Sequence, residues 1–217
     1  MMQFFEDAWQ FMPILMQGAY VTIQVAFLSL ALSSVLGLAL ALMRMSSLPV
    51  LYVPAVTIIT GLRGIPIIVQ LMYIYFVLPE IGIDLSAFTA SVIGLGVAYS
   101  AYHAENFRAA ILAVDKGQYE AAMSIGMGKA QLMRRIILPQ AVRIVLPPYG
   151  NITIMMLKDS SLASTITVSE ITRAGQLIAS STFKNMTVFT LVALIYLVMS
   201  LPLTALNAWL ERRFAAK

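Results

Sequence analysis

The chain has 217 residues, of which 60% are hydrophobic and only 11% are charged. Soluble domains usually carry about a quarter charged residues, so a lipid bilayer is the expected solvent for this chain. The net charge of +4 comes without basic residues clustered among aromatic ones, which excludes a nucleic-acid-binding surface. The absence of cysteine excludes disulfides, thiolate zinc sites and cysteine nucleophiles.

Apolar runs predict an all-α, polytopic membrane protein with five transmembrane helices in a single domain. A spanning helix needs about 20 apolar residues, so the second run must borrow residues from its neighbours. Gly61, Gly64 and Pro66 interrupt that region, which predicts an interfacial elbow helix over residues 49–60. The five runs cover about residues 14–43, 65–78, 88–113, 136–157 and 188–210.

The first apolar run is expected to remain in the mature protein. The N-terminal stretch MMQFFEDAWQFMP carries two acids and no Lys or Arg, whereas a secretory signal peptide begins with positive charge.

The lysines and arginines predict the orientation of these spans. If the N-terminus is outside, three of the fourteen fall on the outer side, namely Lys158, Arg173 and Lys184. Cytoplasmic loops carry the excess of positive charge, so we expect an external N-terminus and a cytoplasmic C-terminus. The eleven residues on the inner side are Arg44, Arg63, Arg108, Lys116, Lys129, Arg134, Arg135, Arg143, Arg212, Arg213 and Lys217.

The stretch EAAMSIGMGKAQLMRRIILPQAV begins at residue 120, in a predicted cytoplasmic loop over about residues 115–135. We expect a short helix over residues 118–125 that ends at Gly126, because glycine adopts the left-handed conformation that closes many helices. A second helix is predicted over residues 129–137, ended by Pro139.

This loop has the features of a docking element. Glu120 supplies a charge in the first helix, while Ala121 and Ala122 leave almost no side chain on one face. Another backbone could approach that face closely, as when a helix lies in a groove on a soluble partner. The alternative is an ordinary amphipathic loop that packs on its own protein.

The sequence GMGKA within this loop is not a phosphate-binding loop. Met123 stands where the first glycine is required, and Ala130 stands where Ser or Thr would hold magnesium. We therefore expect that the chain is not an enzyme and does not hydrolyse ATP itself.

A polar group follows the fourth apolar run directly. Lys158, Asp159, Ser160 and Ser161 lie at a depth where ionisable groups are costly and often mark a transport pathway. The adjacent cation and anion could engage the carboxylate and ammonium of a zwitterion. The alternative is a pair of side chains that reach the outer membrane interface.

Other polar residues within the runs have two readings each. Glu105 and Arg108, three apart on one helix, are expected to form a structural ion pair. His103 is the only histidine, so a histidine metal site is excluded, and it either packs in the core or lines a substrate path. The same two readings apply to Gln70, Tyr73, Tyr99 and Tyr102.

The loop resembles the EAA loop of the membrane subunits of ABC importers. In that family the loop forms coupling helices that lie in a groove of the ATPase subunit. The matching pattern is Glu120, Ala121, Ala122, Gly126, Ile136, Leu138 and Pro139. The resemblance implies that the residues coupling to the ATPase are Glu120, Ala121, Ala122, Gly126, Met127 and Arg134.

Further segments are similar to the polar amino-acid permeases of that family. GLRGIPIIVQLMYIYFVLP, SAYHAENFRAAI and LKDSSLAS resemble its Arg-Gly-Thr-Pro, Ala-Tyr-x-Ala-Glu-x-x-Arg and Lys-Asp-Thr-Ser-Leu segments, with Ile65 and Ser160 in place of threonine. The resemblance covers about residues 14–212. It implies the type I importer fold and a substrate cavity near the last segment, with the substrate-path residues Lys158, Asp159, Ser160, Ser161, Gln70, Tyr99 and His103.

The resemblance also implies the partners and the location of the chain. It implies two ABC ATPase subunits that use ATP and Mg²⁺, a second permease identical or homologous to this one, and an extracytoplasmic solute-binding protein. No cofactor is expected on the chain, and the location implied is the inner membrane of a prokaryote. Glutamine, glutamate, arginine, histidine, cystine and compatible solutes all remain open as cargo.

Two other classes of function remain as alternatives. One is a secondary transporter or channel without an ATPase partner, although Glu105 and Asp159 are a thin supply of intramembrane acids for ion coupling. The other is a membrane-embedded enzyme, which the lack of a histidine pair, a cysteine or a nucleophile motif disfavours.

Overall fold

A computed structural model describes residues 2–214, with side chains from Phe4 onwards. All regular structure in these residues is helical, as the sequence predicts. Lys217, counted above on the inner side, lies outside the described residues. The α-helices are α1 (Met2–Arg44), α2 (Pro49–Gly64), α3 (Ile67–Met72), α4 (Ala87–Leu112), α5 (Lys116–Ser124), α6 (Lys129–Leu132), α7 (Leu138–Asp159), α8 (Ile171–Thr182) and α9 (Asn185–Phe214).

Helix α4 lies at the centre of the molecule, and α1, α2, α3 and α7 pack against it. Glycines let these helices approach closely. A Cβ atom at Gly37 of α1 would lie 2.6 Å from the Cβ of His103, and one at Gly96 of α4 would lie 2.6 Å from the Leu32 side chain. Cβ atoms essentially never lie this close to other heavy atoms, so a side chain at either glycine would force its neighbours to shift. The small residues therefore set the spacing between α1 and α4.

Within residues 2–214, two helices are long and apolar enough to cross a bilayer, residues 4–44 of α1 and the whole of α9. Helix α2 and the segment Ile67–Ile81 together meet the same test but are bent by 103° at their junction. Helices α4 and α7 coincide with the predicted third and fourth spans and carry more polar residues. The five-span topology and its orientation therefore stay predictions.

The bend between α2 and α3 is fixed by a proline and a glutamine. Helix α2 continues past the end of the predicted elbow helix, until Pro66 forces Ile65 into an extended conformation. The break leaves backbone carbonyls without helical partners. The Gln70 side-chain amide donates to the carbonyls of Leu62 and Ile65, each at 2.8 Å, and so holds the two helices at this angle.

The prediction that Pro139 ends the second helix of the loop was wrong. Helix α6 passes through the π-helical turn Met133–Ile137 into α7, whose second residue is Pro139. A proline inside an α-helix lacks an N–H group and crowds the carbonyl four residues earlier. The wider turn, in which the Leu138 N–H donates to the Met133 carbonyl, accommodates the ring. Helix α1 likewise continues through Pro13, upstream of the predicted first span.

Helix α8 has no counterpart among the predicted elements, and a buried glutamate holds its N-terminus. The Glu170 carboxylate accepts the backbone N–H groups of Arg173 at 2.7 Å and Thr172 at 2.9 Å. The Tyr196 hydroxyl of α9 donates to the same carboxylate at 2.8 Å. Burial raises the pKa of Glu170, although these hydrogen bonds favour its charged form. The network joins α8 to α9.

Candidate functional site

The predicted coupling loop is anchored on the chain's own core. The Asp115 carboxylate caps α5 by accepting the Gly117 N–H at 2.7 Å. Ala122 is only 2% exposed and faces inward, whereas Ala121 is exposed. The structure thus corrects the expectation that both alanines form one outward face, because adjacent helical residues point in different directions. Ala122 packs in a cluster with Ala110, Ile111, Val114, Leu132, Ile137 and Ala141.

A tight turn closes α5 and fixes the rest of the loop. Gly126 has a φ of 79°, in the left-handed region that favours glycine. Its N–H donates to the Met123 carbonyl at 3.0 Å, and the Met127 N–H donates to the Ala122 carbonyl at 3.1 Å. This pair of bonds is the Schellman helix stop, and the Met127 side chain packs back onto the cluster around Ala122. The first residues of the GMGKA stretch form this turn, and its Lys129 and Ala130 begin α6.

The opposite face of the loop is exposed and partly apolar. Glu120 and Ala121 are exposed on α5, and Ile125, 78% exposed, follows at its end beside Met123, which is 51% exposed. Arg134 is exposed in the π-helical turn that follows. Large apolar side chains on a predicted cytoplasmic surface, with charges around them, are typical of a docking site for another protein.

The polar residues at the end of α7 have different surroundings, and Lys158 and Asp159 do not pair with each other. The Tyr99 hydroxyl of α4 donates to Asp159 Oδ2 at 2.7 Å. Lys158 is exposed and forms no ion pair with any residue that the structure describes. Ser161 is half-buried, whereas Ser160 is buried and donates to the backbone carbonyl three residues earlier at 2.7 Å. Lys158, Asp159 and Ser161 are therefore the polar side chains that retain exposure here.

Two other residues assigned to the substrate path lie inside the chain. Gln70 is buried and bonded to the backbone of the α2–α3 bend. His103 is fully buried, and its ring centroid lies 5.6 Å from that of Phe107 and 4.8 Å from that of Tyr149. Within the described residues its ring nitrogens have no hydrogen-bond partner. In this conformation the structure places His103 in the packing between helices.

An ion cluster joins the ends of α1 and α4 on the predicted cytoplasmic side. Glu105 accepts the Arg108 guanidinium, with Nη2 at 3.1 Å and Nε at 3.3 Å. Glu105 also pairs with Arg44, the last residue of α1. The Arg63 guanidinium lies 5.5 Å from the centroid of the Tyr102 ring. Sequence reasoning missed Arg44, because no short-range pattern links it to Glu105.

The described residues contain no group of three or more His, Asp or Glu side chains that could hold a metal ion. The site consists instead of an exposed, partly apolar surface on one loop and a polar group at the end of α7. Both features are expected of a permease, a membrane subunit that moves a solute with the help of partner proteins.

Comparison with known proteins identifies the family. Residues 33–216 match the family described as binding-protein-dependent transport system inner membrane component. The chain therefore belongs to this family of permease subunits of ABC importers.

Curated relatives and solved structures cover nearly the whole chain. The probable amino-acid ABC transporter permease protein YckA of Bacillus subtilis is 42% identical, over 94% of this chain and 90% of its own length. The glutamine transport system permease protein GlnP of Escherichia coli is 39% identical, over 94% of both chains. A crystal structure of an amino acid ABC transporter with histidines is 40% identical, with a TM-score of 0.92 over 96% of this chain and 98% of that one.

Proposed function

We propose that this permease carries polar amino acids or related compounds as part of an ATP-driven importer. Relatives about 40% identical over most of the chain, named for amino-acid and glutamine transport, support that class of cargo. In this proposal α1, the bent α2–α3 pair, α4, α7 and α9 form five spans of a prokaryotic inner membrane. The excess of Lys and Arg on one side supports an external N-terminus.

The proposed assembly has two permeases, two ATPase subunits and an external solute-binding protein. The second permease, identical or homologous, is included because the cavities between α1, α7 and α9 are lined almost entirely by apolar side chains. A path for a polar solute is better formed between two subunits. The ATPase subunits would use ATP and Mg²⁺, and this chain would bind neither.

The exposed face of the α5–α6 loop is proposed to dock on the ATPase. The observation that carries this proposal is that one face of the loop is buried against the core while the opposite face is exposed. Ala122 fixes the loop to the core, so a force applied at Ile125 or Glu120 would reach α4 and α7. Ala121, Met127 and Arg134 would support the same contact, with Gly126 setting the turn.

The proposed mechanism is a shift between two conformations of the spans. Closure of the ATPase pair on ATP would draw the two coupling loops together and open the path outward. The binding protein would then release its ligand, and hydrolysis would reset the pair. Ligand and ATP would thus bias one equilibrium through their different affinities for its two states.

The end of α7 is the proposed position of the substrate path. Lys158 could donate to the substrate carboxylate, while Asp159, held by Tyr99, could accept from the ammonium group. Ser161 adds a half-buried hydroxyl beside them. Ser160, Gln70 and His103 are proposed to support the path from within, since all three are buried in this conformation.

Transport in proteoliposomes tests the proposed function. The permease is reconstituted with an amino-acid importer ATPase and a solute-binding protein, and uptake of labelled glutamine, glutamate, arginine and histidine is measured. We expect uptake that requires ATP and persists when ionophores remove the ion gradients. Uptake that needs a gradient but no ATP would favour the alternative, a secondary transporter or channel.

A further inference from the structure

A continuous apolar groove runs between α1 and α9, and α7 forms part of its wall. Three cavities of about 430, 310 and 290 Å³ lie along it. The first two share Ile23 and Met199 as lining residues, and the last two share Leu30, Thr153 and Leu203. The cavities are therefore parts of one feature, called here the α1–α9 groove.

The section of the groove that α7 lines has the length of one membrane leaflet. Along α9 it extends from Met199 to Leu210, which is about 16 Å at the rise of an α-helix. The hydrocarbon core of a bilayer is about 30 Å thick, so one leaflet is about 15 Å.

The lining of this section suits a hydrocarbon chain. Its polar side chains are Tyr149, Thr153 and Asn207. The Tyr149 hydroxyl lies 2.8 Å from the Ser34 hydroxyl, and the Thr153 hydroxyl donates to a carbonyl of its own helix. The Asn207 amide donates to Asn151 at 3.1 Å. These bonds lie within the protein, so the groove presents mainly apolar atoms.

Beyond the Leu210 end of the groove, α7 and α9 each carry an arginine on the helix face that lines the groove. Arg143 precedes Leu146 by one turn of α7, and Arg213 follows Leu210 by one turn of α9. Both are exposed, and neither forms an ion pair with another described residue. The Arg213 guanidinium lies 5.6 Å from the centroid of the Trp209 ring, and tryptophan is enriched at the membrane interface.

The acids near the groove leave this positive charge available. Glu211, in the same turn as Arg213, accepts the Asn207 amide at 3.0 Å and forms no ion pair with Arg143 or Arg213. Near the opposite end, Lys184 lies 2.5 Å from Asp7, so that cation is already paired. Arg143 and Arg213, both without an ion pair among the described residues, therefore lie at the Leu210 end of the groove.

We propose that the α1–α9 groove binds an acyl chain of an anionic phospholipid, whose phosphate lies between Arg143 and Arg213. The inference goes beyond transport, and its assignment to the cytoplasmic leaflet rests on the proposed orientation. Guanidinium groups form charge-assisted hydrogen bonds with phosphate, and basic residues near a membrane attract anionic lipid. A helix of a partner protein would fill the groove equally well but would leave the two arginines without a counter-charge.

Native mass spectrometry of the purified transporter complex tests this site with phosphatidylglycerol and phosphatidylcholine of equal chain length. We expect the wild type to retain phosphatidylglycerol preferentially. Arg213→Gln should reduce that preference roughly fivefold, and the double variant with Arg143→Gln roughly twenty-five-fold, because each arginine contributes independently. The matched control is Arg212→Gln, which removes the same charge from a neighbour whose Nε donates to the Ala208 carbonyl.

A second variant separates the groove from the headgroup contacts. Leu203→Trp fills the groove and leaves both arginines in place, so it should reduce retention of phosphatidylglycerol. Equal retention of the two lipids by the wild type would overturn the proposal. So would equal effects of Arg212→Gln and Arg213→Gln, or full retention in Leu203→Trp. Any of these results would leave ATP-driven uptake unaffected and would not count against the proposed function.

Discussion

Helices α4 and α9 bury very different shares of their residues. Helix α4 has thirteen buried residues among 26, whereas α9 has four among 30. Helix α9 is nevertheless apolar enough to span a membrane, whereas α4 is not. The more apolar of the two helices is therefore the more exposed one, as expected of a helix that faces lipid. The central helix is surrounded by protein and consists largely of small and polar residues that permit close packing.

The coupling loop shows the same contrast on a smaller scale. The small Ala122 is buried against the core, while the large Ile125 is exposed. In both regions we interpret the exposed apolar side chains as a surface that contacts something outside the chain, which is proposed to be lipid for α9 and a partner protein for the loop. The predictions below test that distinction.

The largest expected effect comes from truncating a leucine in α4. Leu95 is fully buried, so Leu95→Ala should lower the free energy of unfolding by about 2–5 kcal/mol through the cavity it leaves. The control is Leu201→Ala in α9, which is 54% exposed and should cost less than about 0.5 kcal/mol. Unfolding in detergent or lipid measures both, and equal losses would contradict the contrast between the helices.

A glycine at the α1–α4 contact should be the next most sensitive position. Gly37→Leu forces a side chain against His103 and should cost about 1–3 kcal/mol by overpacking. Gly61→Leu in α2 is the matched control, because a Cβ there meets no atom within 4 Å. Melting temperatures of the two purified variants give the comparison. A stable Gly37→Leu protein would show that α1 and α4 do not pack this closely.

Removing the hydroxyl that holds Asp159 should have an intermediate effect. Tyr99→Phe loses the 2.7 Å hydrogen bond and should destabilise the fold by about 1–2 kcal/mol. If Asp159 binds substrate, the apparent affinity for uptake should also fall. Tyr102→Phe is the control, since it keeps the ring over which Arg63 lies. Unchanged uptake in Tyr99→Phe would remove this hydrogen bond from the proposed path.

The smallest effect is expected at the ion cluster. Arg108→Gln leaves Glu105 paired with Arg44, and both Arg108 and Glu105 are partly exposed. The loss in unfolding free energy should be about 0–1 kcal/mol and should shrink in high salt. Titration of stability against salt checks this. A loss of several kcal/mol would mean that the cluster is far less solvated than its exposure indicates.

Much of the fold could be predicted from the sequence, because long apolar runs and a specific motif carry strong local signals. The third and fifth predicted spans, residues 88–113 and 188–210, fall on α4 and α9 to within a few residues. The family was confirmed by the match over residues 33–216. The motif positions around Glu120 lie on the loop where they were expected.

Other features depend on contacts that no local pattern shows. Helix α8 is short and held by Glu170, whose partner Tyr196 is 26 residues away. Adjacent alanines in a motif do not reveal which of them faces inward. Pro139 is tolerated because the preceding turn widens, which depends on how α6 joins α7.

The most direct test of the account is co-purification of the permease with an amino-acid importer ATPase, comparing two exposed isoleucines. Ile125 lies in the proposed docking loop, whereas Ile81 lies between the predicted second and third spans, on the side that the predicted orientation places outside. The two side chains are 78% and 71% exposed. We predict that Ile125→Lys loses the ATPase while Ile81→Lys and the wild type retain it. Equal retention by both variants would contradict the assignment of this loop to coupling.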